Sequence, residues 1–372
     1  MVSFLKEAEE LFEEYKDYAP SHKEICEIIE NKEFLTKEDL AKLLNVNSKE
    51  DIMLMAKKAQ KLTCENFGKV ILLYAPLYIA NYCQNGCVYC GFSCRKKYKR
   101  EKLSFERIEN ELRKMKEEGI DSVIILTGED RINSSVEYIE KACRIATDLM
   151  SEVSIEVYPL YEEEYRRLSS IGVVGITMYQ ETYQREDYDK LHPFGPKKDF
   201  EFRLNAPERA LKAGFHEVCV GPLLGLSEPK KDVLCAILHA EYLLDKFPKA
   251  EISISFPRFR SAGTDFIPSY TVSDKEFIKF LIIARLYLPR VGIVVSTRER
   301  PSLRDALIDV CVTKMSAGSK TTVGGYAEEK DEDAEAQFEV EDRRSVSEVV
   351  DVIIKKGLRP EFTNWVKGVK SV

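Results

Sequence analysis

The 372-residue chain has no apolar run approaching the roughly 20 residues that a membrane-spanning helix needs. Its start lacks a basic stretch followed by an apolar one, so no secretory signal is read there. Positive charge is not in excess. The 56 Lys and Arg stand against 63 Asp and Glu, and the formal net charge of −7 leaves no footprint for nucleic acid or an anionic membrane surface. Histidine is scarce, at four residues, and cysteine is absent after position 311. The expectation is a cytoplasmic protein with neither a nucleic-acid nor a membrane partner.

What is present is an ordinary globular composition, 44% hydrophobic and 32% charged, in a chain long enough for one large barrel-type domain or two ordinary ones. Ten cysteines in such a protein read as reduced thiols or metal ligands and not as a disulfide framework. Only Cys83, Cys87, Cys90 and Cys94 cluster; the other six read as small buried hydrophobes.

Residues 1–66 carry apolar positions at helical spacing (Phe4, Leu5, Ala8, Leu11, Phe12, Tyr15) and the N-terminal capping signals Thr36 with Asp39 and Ser48 with Asp51. They predict a helical layer without chemistry of its own. From residue 70, short apolar runs alternate with amphipathic segments. Strands are predicted at 70–79, 122–127, 154–157, 173–178, 217–221, 251–256, 292–296 and 314–316. Their helices are predicted at 105–118, 136–150, 162–171, 203–213, 231–247, 274–288, 303–310 and 346–356. Gly119, Gly172 and Gly214 are placed as helix stops. Eight strand–helix units favour a closed (β/α)8 TIM-type barrel, with a doubly wound open sheet as the competing architecture. The division expected is a helical layer over 1–66, the barrel over 67–330, and an acidic loop with a short closing helical segment over 331–372.

The first predicted strand runs directly into Cys83, Cys87 and Cys90, spaced C-x3-C-x2-C. In a barrel this loop leaves the C-terminal end of a strand, the face on which such folds carry their chemistry. Thiolates are soft ligands suited to iron–sulfur clusters or zinc. Structural zinc would want a fourth ligand and usually arrives as paired C-x2-C units, and no second pair is present. An electron-transfer cluster would draw on Cys94 as its fourth ligand, a use that needs no barrel.

The cysteine spacing, with Tyr89 before the last thiol, resembles the signature of the radical S-adenosylmethionine (SAM) enzymes. That resemblance implies a 4Fe–4S cluster on Cys83, Cys87 and Cys90, whose open iron takes the methionine part of SAM. It also implies a hydrogen-abstracting radical formed by reductive cleavage of SAM. Thr127-Gly128-Glu129-Asp130 resembles the family's Gly-Gly-Glu-type motif for the amino group of SAM. By the same resemblance Glu181 takes the ribose hydroxyls, Arg203 the SAM carboxylate, and Tyr89 lies beside the adenine.

The likeness narrows further along the chain. Ala75-Pro76-Leu77-Tyr78-Ile79-Ala80-Asn81-Tyr82-Cys83 and Tyr179-Gln180-Glu181-Thr182-Tyr183 are followed by His192-Pro193. Then come Ser255-Phe256-Pro257-Arg258-Phe259-Arg260, Ser296-Thr297-Arg298-Glu299, Ser316-Ala317-Gly318-Ser319-Lys320-Thr321 and Gly324-Gly325-Tyr326. From residue 70 to about 365 this is similar to the aromatic amino-acid lyases of the radical SAM group. It is closest to the tyrosine lyases of thiamine biosynthesis, with tryptophan lyases, or a hydrogenase-maturing type of tyrosine lyase lacking its second cluster domain, as the alternatives. Hydrogenase-maturing tyrosine lyases carry further cysteines for a second cluster in a C-terminal extension, which the absence of cysteine after Cys311 does not match. The resemblance implies cleavage of L-tyrosine at Cα–Cβ to 2-iminoacetate and 4-methylphenol. Thiazole synthase is then the consumer of the imine, and a flavodoxin- or ferredoxin-type protein the reductant. Arg298 is expected to hold the tyrosine carboxylate and Ser316 its amino group, with Arg258 and Arg260 as further candidates for the anion. The structural counterparts are an ion pair of Arg298 with Glu299 or Asp305, and a turn capped by Ser316.

Overall fold

In the computed structural model, which describes residues 3–328 and 336–364, four helices come first: α1 (Ser3–Tyr15), α2 (His22–Asn31), α3 (Lys37–Leu43) and α4 (Lys49–Phe67). Their starts follow from capping chemistry. Thr36 and Asp39 form a reciprocal capping box, and the Ser48 hydroxyl accepts from the Asp51 amide. The layer packs on barrel helices, and Phe4 stacks on His239 at 4.8 Å between ring centroids. The buried Lys279 ammonium donates to the carbonyls of Leu44 and Val46 at 2.7 and 3.0 Å.

The strand–helix alternation then runs β1 (Val70–Ala80), α5 (Phe105–Glu117), β2 (Ser122–Thr127), α6 (Val136–Leu149), β3 (Glu152–Glu156), α7 (Glu162–Ser170), β4 (Gly175–Glu181), α8 (Arg185–Leu191), α9 (Phe200–Leu204), α10 (Ala206–Lys212) and β5 (Glu217–Pro222). It continues with α11 (Pro229–Lys246), β6 (Glu251–Ser255), α12 (Asp274–Tyr287), β7 (Gly292–Val295), α13 (Pro301–Ile308), β8 (Lys314–Ser316), α14 (Val346–Lys355) and β9 (Arg359–Glu361). Neighbouring strands are parallel throughout. β1 pairs with β8 on one side and with β2 on the other, so eight strands close on themselves and the open-sheet alternative is excluded. No helix among the described residues is long and apolar enough to cross a membrane.

Two departures from the sequence reading have local causes. The single helix predicted at 203–213 is two short ones, α9 and α10, and α8 ahead of them was not predicted. Pro207 has no amide to donate to the carbonyl of Arg203 four residues earlier, so the chain breaks at Asn205 and restarts as α10 with the proline in its first turn. α8 buries only Tyr188 and Leu191, too few positions to show a period. Strand β9 was not predicted. It pairs Arg359–Glu361 with Val70–Leu72 below the point where β2 joins β1. Residues 329–335 of the acidic run, and residues 331–335 and 365–372 of the expected closing segment, lie outside the described residues.

The N-terminal end of the barrel is sealed by charge. Glu152, Glu217 and Lys314, each the first residue of its strand, meet inside it, with the Lys314 ammonium 2.9 Å from Glu152 and 3.0 Å from Glu217. Burial opposes the Lys314 charge, yet the two carboxylates hold its pKa above the ordinary lysine value. Removing one partner of a buried ion group leaves uncompensated charge and typically costs about 3–5 kcal/mol. Lys314→Met is therefore expected to lower thermal stability sharply, and Lys314→Met combined with Glu152→Gln and Glu217→Gln to recover part of the loss, read as melting temperatures.

Candidate active site

The cysteine loop leaves the C-terminal end of β1 and is tied down on every side. The Gln84 amide donates to the Glu129 carbonyl at 2.9 Å, the Gly86 amide to Phe194 at 3.1 Å, and the Val88 amide to Leu191 at 3.2 Å. The Asn85 side chain donates to the Glu129 carboxylate at 2.7 Å and accepts from the Lys197 amide at 2.8 Å. The Arg100 guanidinium gathers the carbonyls of Asn81, Phe92 and Ser93 at 2.7–2.8 Å. Backbone groups in a loop need such partners once water is excluded. Asn85 and Arg100 were not singled out by sequence, because Asn and Arg in a loop carry no spacing signal.

Within this loop Cys87 is buried, and Cys83 and Cys90 are partly exposed. Burial pushes all three thiols up, Cys90 to about 11, and their mutual repulsion as thiolates adds to the effect at Cys87 and Cys90. Cys94 stays apart: it is exposed, and its thiol faces the Gln84 carbonyl at 3.5 Å. Among the described residues no three Cys, His, Asp or Glu side chains sit close enough to share a single metal ion. In an iron–sulfur cube each thiolate binds its own iron, so three soft donors in one dry loop fit that group and leave one iron for another ligand. Gly128 completes the fit. A Cβ there would stand 2.3 Å from the Tyr82 carbonyl oxygen, against the turn that enters Cys83.

Beside the thiols lies a cleft with about 500 Å³ of open space, walled by Tyr89, Cys90, Glu181, Lys197 and Arg298 among others. Tyr89 is held edge-on, its hydroxyl donating to His192 Nε2 at 2.8 Å while His192 Nδ1 donates to the Tyr188 carbonyl at 2.8 Å. Burial depresses the His192 pKa to about 3, so the ring is neutral and can accept. Glu181, at the end of β4, has φ +71°, and no other non-glycine residue among those described has a positive φ. Such strain persists where the surroundings fix it, commonly at functional sites. Its carboxylate is 2.6 Å from the Lys197 ammonium and 3.5 Å from the Arg203 guanidinium, and Arg203 also donates to the Tyr179 carbonyl at 2.8 Å. Burial works against an ionised Glu181, but the two cations keep its carboxyl below the usual range.

The predicted residues divide by place. Tyr89, Cys90, Glu181 and Arg298 share the cleft wall, and Arg203 backs it. Gly128 and Glu129 sit at the cysteine loop, joined to it through Asn85. The Arg298 guanidinium makes no hydrogen bond or ion pair among the described residues and lies over the Phe338 ring at 3.3 Å. Neither structural counterpart expected for it occurs: Glu299 is engaged by Arg258 and Arg260, and Asp305 by Arg344. Arg258 is thereby occupied, whereas Arg260 also reaches the cleft. Ser316 does not line the cleft; its buried hydroxyl accepts from the Thr297 amide at 3.0 Å and so braces the turn that carries Arg298. Glu156, Lys197, His192 and Phe338 were given no role by sequence; each is an isolated polar or aromatic residue until the fold assembles them.

A Cβ at Gly128 would press on the Tyr82 carbonyl, which as backbone cannot give way cheaply. Gly128→Ala is expected to leave the barrel folded by circular dichroism but to reduce the iron and sulfide retained per chain after anaerobic reconstitution. Full retention would show that the close approach is not required.

Comparison with known proteins agrees with this arrangement. Residues 77–237 match the model of the radical SAM superfamily, and residues 255–359 that of the biotin and thiamin synthesis associated domain. The chain is 33% identical over 332 residues to 2-iminoacetate synthase of Escherichia coli (strain K12), covering 89% of this chain and 88% of that one. It is 32% identical over 336 residues to the enzyme of the same name from Salmonella typhimurium, covering 90% and 89%. Among solved structures it is similar to HydG, a maturase of the FeFe-hydrogenase, with a TM-score of 0.92 and 33% identity over 99% of this chain and 82% of that chain. Thiol loop, strained strand end and closed barrel thus coincide with a shared sequence over nearly the whole length: the chain belongs to the radical SAM superfamily, as a lyase of the 2-iminoacetate synthase family.

Proposed function

We propose that this protein cleaves L-tyrosine between Cα and Cβ, giving 2-iminoacetate and 4-methylphenol. The observation that carries the reading is Arg298: a guanidinium in the cleft wall that also holds Cys90, without a hydrogen-bonding or ionic partner among the described residues, stacked on Phe338. A planar guanidinium fork is suited to a carboxylate.

In this reading Cys83, Cys87 and Cys90 hold the 4Fe–4S cluster, and Gly128, Glu129, Glu181, Arg203 and Tyr89 hold SAM. Bound there, the cluster and SAM would supply hydrogen-atom abstraction, directed in this reading at the amino group of the substrate. The chain's own part is positioning. Lys197 and Arg203 keep Glu181 ionised for hydroxyl donors, and His192 fixes the Tyr89 ring. Arg298 orients the amino acid, and Ser316 acts through it, as a positioning residue, by accepting the Thr297 amide. Misplacing reacting atoms by about 1 Å can cost on the order of 100-fold in rate, so this bracing matters. The same reading divides the chain at residues 66 and 330, passes the imine to a thiazole synthase, draws electrons from a flavodoxin- or ferredoxin-type carrier, and places the enzyme in the cytoplasm.

Anaerobically reconstituted protein given SAM, reductant and tyrosine is expected to form 5′-deoxyadenosine and 4-methylphenol together, and Cys87→Ala to form neither. An indole product from tryptophan, with none from tyrosine, would overturn the substrate assignment. Arg298→Lys keeps the charge but loses the fork. It is expected to weaken tyrosine binding by about 10-fold or more while SAM binding is unchanged.

A further inference from the structure

The charged groups that line the cleft can be accounted for one by one. Glu181 is paired with Lys197 at 2.6 Å. Arg260 is engaged by Glu299 at 3.3 Å and Glu341 at 3.5 Å. Two remain, Arg298 and Glu156, of opposite sign, and neither has a hydrogen bond or ion pair among the described residues. Other buried carboxylates here are not left so. Glu111 accepts the amides of Gly325, Tyr326 and Ala327, and Asp232 accepts from Thr182 and the Tyr183 amide.

Position adds to this. Glu156 ends β3 and Arg298 follows β7, four strands away in an eight-stranded barrel, so they face each other across the lumen. Each feels the other's field without touching it.

We propose that Glu156 is the anionic half of a clamp for an amino-acid zwitterion: Arg298 holds the carboxylate, and Glu156 holds the α-ammonium group and takes its proton. This rests on the reading of the cleft as an amino-acid site, but not on which ring the amino acid carries. The step is balanced. The N–H bond breaks heterolytically, its electron pair stays on nitrogen, and an O–H bond forms on Glu156; nothing is oxidised or reduced. It is needed because the reaction proposed above removes a hydrogen atom from nitrogen, and an amino acid enters at neutral pH as the ammonium form. The charged groups whose fields reach Glu156 are Arg298, Glu181, Arg203 and Lys197, and Tyr74, Tyr78, Tyr179 and Cys219 lie within its own. Burial, opposed chiefly by Arg298, raises its carboxyl to about 7, which suits a group that must both accept and release a proton.

The test uses reconstituted holoenzyme with SAM and three probes. These are tyrosine, 3-(4-hydroxyphenyl)propanoate, which lacks the ammonium group, and tyramine, which lacks the carboxylate. Glu156→Gln is expected to weaken tyrosine and tyramine by about 10-fold or more and to leave the propanoate unchanged. Arg298→Gln is expected to weaken tyrosine and the propanoate but not tyramine. Glu156→Asp should recover part of the tyrosine affinity. Unchanged iron content and SAM binding in Glu156→Gln show that the site is intact. Equal weakening of all three probes by Glu156→Gln, or of none, overturns the clamp even if the wild type makes 4-methylphenol. If the wild type instead turns over another aromatic amino acid, the substrate assignment fails alone, and the same pattern with that acid's desamino and decarboxylated analogues upholds or overturns the clamp. A wild type that binds no amino acid overturns both.

Discussion

Closing eight parallel strands around a lumen takes charged side chains out of water at both ends, and each must then find a counter-charge or a ligand. The two ends of this barrel solve the problem differently. At the N-terminal end Lys314 meets Glu152 and Glu217 within hydrogen-bond distance, and the charges are consumed by the fold. At the C-terminal end Lys197 and Arg203 both engage Glu181, while Arg298 and Glu156 have no ionic partner among the described residues. Unspent charge in a cleft is what distinguishes the working end from the sealed one.

The cysteine loop obeys the same constraint at the level of the backbone. Few of its amides and carbonyls can reach a strand, so they are satisfied by neighbours that also belong to the site. Glu129 gives its carbonyl to Gln84 and its carboxylate to Asn85, and Asn85 in turn takes the Lys197 amide. The thiols, the β2 turn and the wall beside Glu181 are thus one hydrogen-bonded unit. Shape is fixed by chain contacts before any metal is considered, and this suits a donor set that must present three thiolates and leave one position open.

The sequence was informative wherever chemistry depends on spacing. C-x3-C-x2-C located the loop, capping pairs located α3 and α4, and period and length located eight strands within a few residues of where they lie. It was uninformative where function depends on residues from different strands meeting across the lumen. Glu156 is one more polar residue in a strand of five, and nothing in its neighbours marks it; only closure of the barrel opposes it to Arg298. Ser316 shows the converse. Its place at the end of β8 was legible, but its hydroxyl is directed to the Thr297 amide and not to the cleft wall, because β7 and β8 end at the same level and the turn after β7 needs an acceptor.

Glu181 joins these observations. A strand that must deliver a carboxylate into the lumen while its last carbonyl still accepts the Leu223 amide cannot keep regular register: the pairing with β5 slips between Tyr179 and Glu181, and φ turns positive. For a residue with a Cβ that conformation is unfavourable by roughly 1–2 kcal/mol, and the surroundings must over-determine it. Lys197 and Arg203 do so from the side of the chain that also buttresses the cysteine loop. Strain, ion pairing and loop anchoring therefore have one origin. The 191–203 segment supplies both cations, and the same segment holds the cysteine loop through the carbonyls of Leu191 and Phe194 and the amide of Lys197.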